Sequence, residues 1–244
     1  DVELPPTMDK TIPEPGTAAF EERLLNELRL GRDRYSHLTD EQYERLVALV
    51  KRHPHAFGIK GSVVGKVTGF HHYIDTGDAQ PIKLPPHRLS PGELEELEKQ
   101  VREQIENGVC RWSSSAWGAP ALMVRKKSLN GEVQPLRWCG DFRALNACTV
   151  DDAYPLPNMG HILDSVASRK YRSQLDLLSG FWHVCIWPDH AHKTAVATQC
   201  GLVEFLRVPF GLKTAPSTFQ RLMNTVFAEW LHKELEAYLD DLFA

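Results

Sequence analysis

Cysteine is scarce and unpaired in this chain of 244 residues. The five cysteines, at positions 110, 139, 148, 185 and 200, form no CxxC pair, and their odd number argues against a closed disulfide framework. A reducing, intracellular setting is expected. Long apolar runs are also missing: nothing approaches the roughly 18 consecutive apolar residues of a membrane-spanning helix, so no membrane partner is expected. The acidic, proline-rich start lacks the character of a signal peptide. There is no excess of positive charge, and the formal net charge of -4 weakly opposes nucleic-acid binding as a bulk property. The distribution matters more than the sum. Residues 1–50 hold six basic and eleven acidic side chains, 51–90 six and two, 91–110 two and six, and 111–150 six and two, so positive charge is gathered in patches.

What is present is the composition of a soluble globular protein: 42% apolar, 25% charged and 9% aromatic residues. The length suffices for one large domain or two smaller subdomains. Residues 1–35 combine Pro5, Pro6, Pro13, Pro15 and Gly16 with many acids and read as an irregular lead-in with one short helix near Phe20–Leu30. Thr39 with Gln42 makes a capping box, and Tyr43, Leu46, Val47 and Val50 follow at helical spacing up to His53-Pro54. Ser90-Pro91-Gly92-Glu93 starts a second helix, carrying Leu94, Leu97, Val101 and Ile105 and stopped by Asn107-Gly108.

Ala121–Val124, the basic Arg125-Lys126-Lys127, the turn Asn130-Gly131 and the stretch Val133–Asp141 predict a β-hairpin with a basic rim. Such a rim is an ordinary solvated surface or a phosphate clamp, with Arg143 as a second, fork-shaped donor. Asn158 is placed to cap a short helix with Ile162, Leu163 and Val166. Ser173–Leu177 alternates as a strand, and Asp176 lies among neighbours typical of a buried strand. Further strands are expected over His183–Trp187, Lys193–Thr198 and Val203–Val208. Ala215-Pro216-Ser217 opens the last helix, whose stripe Phe219, Leu222, Met223, Val226, Phe227 and Trp230 reads as core.

The stretch Tyr238-Leu239-Asp240-Asp241 has two adjacent carboxylates in an apolar context. Neighbouring strand residues face opposite ways, so a tight hairpin here is needed to aim both acids at one spot. Like charges that close raise each other's pKa unless a cation holds them, and magnesium is the obvious cation. Three competing motifs weigh less. Asp75-Thr76-Gly77 is the tripeptide of aspartic proteases, but prolines 81, 85 and 86 and then a helix follow where a compact β body is required. His71-His72 sit next to each other on opposite strand faces. Cys185, His190, His192 and Cys200 fit no common zinc spacing.

An ordered series of strings then points to a family. Ser113-Ser114-Ser115-Ala116-Trp117, Val124-Arg125-Lys126-Lys127, Asp141-Phe142-Arg143-Ala144-Leu145-Asn146, Tyr154-Pro155-Leu156-Pro157, Leu175-Asp176-Leu177, Ser179-Gly180-Phe181, Lys193-Thr194-Ala195, Pro209-Phe210-Gly211-Leu212 and the Tyr-Leu-Asp-Asp stretch stand in this order. Over about residues 36–244 the chain resembles the reverse transcriptase of gypsy-type LTR retrotransposons. The resemblance implies an α+β, right-hand polymerase fold with fingers and palm subdomains only and an antiparallel palm sheet packed on helices. It divides the chain into the lead-in 1–35, an N-terminal extension 36–110, fingers 111–170 and a palm 171–244 truncated after the paired acids. The return strand of the carboxylate hairpin, the primer grip, the thumb and any RNase H then fall outside the chain.

The same resemblance implies an RNA-directed DNA polymerase that adds deoxynucleotides to a DNA primer on an RNA or DNA template. The alternative is a non-catalytic domesticated or truncated remnant that binds nucleic acid or protein. Asp176, Asp240 and Asp241 would be catalytic, and with the carbonyl of Leu177 would hold two Mg2+ ions, or Mn2+ in their place, about 3.5–4 Å apart. Lys126 and Arg143 would hold the triphosphate, which the backbone N–H groups near Ser179 and Gly180 would also contact. Phe181 would exclude a ribose 2′ hydroxyl, with plain core packing as the alternative, and Phe210 would pack on the incoming sugar. The expected setting is a longer polyprotein, as monomer or oligomer, in the cytoplasm within a virus-like particle or in the nucleus. Departures from the family pattern are Thr214 for Asn, Arg172 for an aromatic, His183 for Gln, Val196 for Phe and Val203 for Tyr. None removes a metal ligand.

Overall fold

Side-chain caps at Thr39, Ser90 and Asn158 start three helices where the sequence places them. In the computed structural model, which describes residues 2–3, 13–59, 62, 64–125 and 135–244, the chain divides into two compact units. One lies within residues 4–64; the other comprises residues 65–244 together with the strand β1 (Val2–Glu3). In the first, Thr17 caps α1 (Ala18–Glu27) by accepting from Phe20 N at 3.2 Å. The capping box of α2 (Asp40–Arg52) forms as predicted, with Gln42 N donating to Thr39 Oγ1 at 3.2 Å and Thr39 N to Gln42 Oε1 at 2.9 Å. The unit buries its own small core of Phe20, Leu24, Leu30, Val50 and Ile59.

The second unit begins with two short strands, β2 (Lys66–Val67), antiparallel to β1, and β3 (His71–His72). A capping box between Ser90 and Glu93 then starts α3 (Pro91–Glu106), which ends before Gly108 at φ +64°. After β4 (Cys110–Trp112) come the hairpin strands β5 (Ala119–Arg125) and β6 (Leu136–Gly140), antiparallel in the register Ala121 to Gly140 and Arg125 to Leu136. The predicted turn Asn130-Gly131, with Lys126 and Val133, lies outside the described residues. Strand β6 is an edge, and the Gln100 amide of α3 occupies it by donating to Leu136 O at 2.7 Å and accepting from Trp138 N at 3.2 Å.

Two helices follow, α4 (Arg143–Cys148), which positions site residues, and α5 (Met159–Ala167), capped by Asn158 as predicted. The remaining strands are β7 (Gln174–Asp176), β8 (Cys185–Ile186), β9 (Val196–Thr198) and β10 (Gly201–Phe205). The last elements are α6 (Ala215–Val226), β11 (Glu236–Tyr238) and β12 (Asp241–Phe243). A five-stranded sheet of order β4-β10-β9-β5-β6 and a three-stranded antiparallel sheet of order β11-β12-β7 share one core, in which α6 buries Ala215, Phe219, Leu222 and Met223. No helix among the described residues is long and apolar enough to cross a membrane.

Several elements differ from the sequence expectation. Of the strand expected over His183–Trp187 only the two-residue β8 forms, and His183 ends a 3₁₀ turn over Gly180–His183. A second 3₁₀ segment, Pro188–Thr194, replaces the start of the strand expected at Lys193, and within it Thr194 Oγ1 donates to Ala191 O at 2.7 Å. Helix α6 ends at Val226, so Val226 and Trp230 are exposed rather than core. The short α4 was not anticipated: six residues are too few to show a helical period. The return strand of the carboxylate hairpin is present as β12.

Gly140 sits at the crossing of β6, α4 and β9. A Cβ there would lie 2.5 Å from Phe142 Cζ and 2.9 Å from Val196 Cγ2, both on buried residues. Gly140→Ala should therefore lower stability by about 1–3 kcal/mol, the usual cost of overpacking. Thermal unfolding checks this, and an unchanged melting temperature contradicts the packing.

Candidate active site

The three acids singled out in the sequence come from the three-stranded sheet. Asp176 ends β7 and Asp241 begins β12, and the two are directly opposite in the antiparallel register. Opposed residues of an antiparallel pair project from the same face. Asp240 directly precedes Asp241, as the second residue of a two-residue turn whose ends are Tyr238 and Asp241. The first turn residue, Leu239, has φ +51°, and Asp240 is not in the positive-φ region, the pattern of a type II′ hairpin. The tight hairpin required by the sequence thus exists, set one residue earlier than the carboxylate pair. Leu177 N donates to Asp240 O at 2.9 Å, tying the turn to the residue after Asp176.

The setting is wetter than the sequence suggested. All three residues of β7 are exposed, including Asp176, and Leu175 is 48% exposed. The expectation of a buried strand fails because β7 is the outer strand of its sheet. Asp240 and Asp241 are half-buried, and Gln174 Nε2 donates to Asp241 Oδ1 at 2.9 Å. Among the described residues no group of three His, Cys, Asp or Glu side chains is arranged to hold a metal ion. The acids therefore stand as one facing pair with a third on the turn.

Ser179 and Gly180 border this group. Ser179 adopts φ +52°, and a Cβ on Gly180 would approach Asp240 Cβ to 3.1 Å and Phe219 Cζ to 3.0 Å. Glycine is what lets this backbone lie against Asp240. The ring of Phe181 meets Phe210 edge-on, with centroids 5.6 Å apart at 87°, and Phe219 at 5.2 Å and 66°. Phe219 therefore touches both the glycine beside the acids and the aromatic pair. Phe210 is 43% exposed, and the loop after it is clamped by Asn146 of α4, which donates to Gly211 O at 2.7 Å and accepts from Lys213 N at 2.9 Å.

The same helix begins with Arg143, whose side chain is 84% exposed. Its Nε and Nη2 donate to the two carboxylate oxygens of Asp141 at 2.8 and 2.6 Å. These bonds hold the Asp141 carboxyl down at about 2. Lys126, the expected second cation, lies outside the described residues.

Residues 124–244 match the family model described as reverse transcriptase (RNA-dependent DNA polymerase). This part of the chain is a reverse transcriptase domain. Its relatives include the Retrovirus-related Pol polyprotein from transposon 297 of Drosophila melanogaster, 32% identical over 92% of this chain and 21% of the relative. The corresponding polyprotein from transposon gypsy of the same organism is 32% identical over 69% of this chain and 16% of the relative. The chain thus spans about a fifth of the length of the curated relatives it matches. A foamy viral protease-reverse transcriptase solved in complex with an RNA/DNA hybrid superposes with a TM-score of 0.75 over 100% of this chain and 30% of that one, at 19% identity. The fold is therefore that of a polymerase, α+β with an antiparallel sheet packed on helices, as expected.

Within the reverse transcriptase domain three of the departures from the family pattern, His183, Val196 and Val203, are locally accommodated. Val196 and Val203 are fully buried in the sheet core, and a ring nitrogen of His183 lies 3.1 Å from Leu178 O. The competing motifs turn out to be structural. Asp75 Oδ1 accepts from Gly77 N at 2.9 Å within a loop. His72 is fully buried against Thr218, at 2.8 Å, and burial pushes its pKa down to about 4. His190 Nδ1 accepts from Ile74 N at 3.0 Å, and all five cysteines are free. Sequence reasoning assigned no role to Asn146 or Gln220. For Gln220 a signal existed, an amide next to Phe219 at the border of the helix's apolar stripe.

The Asp141–Arg143 pair makes a pH prediction. A carboxylate whose folded pKa is near 2, below its unfolded value of about 3.9, adds stability that is complete above the unfolded value and lost as the pH falls toward the folded one. Because Arg143 is so exposed, water screens the pair, its contribution is small, and salt should weaken it further. The melting temperatures of wild type and Arg143→Ala should differ near pH ~6 and converge as the pH drops through ~4 toward ~2. A gap independent of pH contradicts the pairing.

Proposed function

We propose that the chain is the fingers and palm portion, about residues 111–170 and 171–244, of an RNA-directed DNA polymerase acting within a longer retrotransposon polyprotein. The observation that carries this reading is the pairing of Asp176 with Asp241 across β7 and β12, with Asp240 on the adjoining turn. The donors on this face are carboxylate oxygens without sulfur or imidazole, a set suited to hard divalent cations such as Mg2+ or Mn2+. Asp176, Asp240, Asp241 and the carbonyl of Leu177 would hold two such ions. Ions held there would supply the charge that favours deprotonation of a primer 3′ hydroxyl and that neutralises the departing pyrophosphate.

The remaining roles belong to the chain's own residues. Arg143 and Lys126 would meet the triphosphate, and Arg143 reaches solvent from the start of α4 with a guanidinium already oriented by Asp141. The backbone at Ser179 and Gly180 would offer N–H groups beside the acids. Phe210 would pack on the deoxyribose, and Phe181, edge-on beneath it, would leave no room for a 2′ hydroxyl. The template would be RNA or DNA carrying a DNA primer. The foamy viral relative in fold was solved on an RNA/DNA hybrid, which supports that substrate class. Thumb and RNase H functions would come from the rest of the polyprotein, and the enzyme would work inside the cell, in a virus-like particle or the nucleus.

Asp176→Asn tests the carboxylates. In the polymerase-length enzyme, primer extension should fall about a thousandfold, corresponding to several kcal/mol of lost charge stabilisation, while the melting temperature stays near that of wild type. Extension at the wild-type rate sinks the assignment. A folded wild type that extends no primer under any divalent cation points instead to the non-catalytic remnant.

Phe181→Ala tests the sugar gate. Because Phe181 is half-buried, truncation should cost less than the about 3–5 kcal/mol of a fully buried Phe. The ratio of kcat/KM for ribonucleotides over deoxynucleotides should rise at least about tenfold, since the barrier is a clash. A melting temperature lowered without any change in that ratio assigns Phe181 to the core alone.

A further inference from the structure

Consecutive residues of α6 reach the two halves of the site. Phe219 packs against Gly180 and Phe181; the next residue, Gln220, is fully buried and points to the carboxylate hairpin. Its Oε1 accepts from Leu239 N at 2.9 Å, and its Nε2 donates to Ala237 O at 3.1 Å and to Asn224 Oδ1 at 2.9 Å. One amide thus grips the hairpin on both sides of Tyr238. Asn224 in turn donates to the Tyr154 hydroxyl at 2.7 Å. Arg221 lies over the Tyr154 ring at 4.6 Å and donates to both Asp152 carboxylate oxygens at 2.8 Å.

The grip falls where the hairpin is least stable by itself. Leu239 occupies the left-handed region at φ +51°, which a leucine disfavours and where hairpin turns normally place glycine or asparagine. A strained turn persists only when its surroundings over-determine it. Only a side-chain amide supplies the acceptor for Leu239 N and the two donors at this position; glutamate lacks the donors and leucine lacks both. We infer that Gln220 is a positioning residue for the polymerase reaction, holding the Leu239-Asp240 turn so that Asp240 and Asp241 keep their places beside Asp176. This rests on the polymerase reading, but the clamp is a property of the fold and is measurable without activity.

The test compares Gln220→Leu, Gln220→Glu and Asn224→Ala. In the 244-residue chain, hydrogen exchange of the Leu239 amide should speed up at least about tenfold in Gln220→Leu, the loss of one buried hydrogen bond, and less in Gln220→Glu, which keeps the acceptor and loses only the donors, with amides of β10 unaffected. In the polymerase-length enzyme both variants should lower kcat by about 10- to 100-fold while KM for deoxynucleotide stays within roughly threefold, the split of a misplaced catalytic group. Asn224→Ala keeps the Leu239 and Ala237 bonds and should retain most of the kcat. Unchanged exchange at Leu239 in Gln220→Leu overturns the clamp. Faster exchange with wild-type kcat, or a loss confined to KM, overturns the positioning role. A wild type that extends no primer defeats the polymerase reading, and the exchange measurement then still decides the clamp.

Discussion

The antiparallel register of β7 on β12 is the constraint from which the site follows. Side chains of a strand alternate between faces, so Asp241 shares a face with Asp176 only when the two are directly opposed. A slip of one residue would bring Leu242, now buried, to the open face and drive Asp241 into the core. Three features resist that slip. Leu242 is packed in the main core, Leu177 N is bonded to Asp240 O, and Ser173 and Ala244 exchange both backbone hydrogen bonds at 2.9 and 3.0 Å beyond the last paired residues.

Beneath this register the apolar and charged parts of the site are separated by layer. The hairpin rests on Ala237 and Leu242, and α6 supplies Phe219 and Leu222, all buried. The acids stand above, exposed or half-buried, where water screens their mutual repulsion. Charges sunk into the same unit are handled differently. Buried Glu204 accepts from Arg111 Nε at 2.7 Å and from the Ser113 hydroxyl, and buried Arg207 donates to Gly65 O at 2.8 Å and Trp182 O at 2.9 Å. Each is satisfied within the fold, whereas the site's acids face solvent.

Helix α6 connects these layers. Its apolar stripe sets its depth in the core, and two polar residues carry that position outward, Gln220 to the carboxylate turn and Asn224 to Tyr154. Helix α4 does the same on the other side, with Arg143 at its start and Asn146 holding the loop that presents Phe210. Rigid helices thus place both the acids and the aromatic pair.

The sequence by itself determined the elements whose signals are local. Thr39 with Gln42, Ser90 with Glu93 and Asn158 mark helix starts because a cap needs only residues within one turn, and the paired acids demanded a hairpin because strand side chains alternate. The ordered motifs also named the acids, Phe181, Phe210 and Arg143 in advance. Only the tertiary structure decided that Asp176 meets Asp241, 65 positions away in the chain. It also put β7 at an open edge, bound Arg143 to Asp141, and used the buried amide of Gln220 to grip a strained Leu239. Strand order, burial and the partners of a buried polar group depend on which distant segments pack together, and no spacing within one element encodes that.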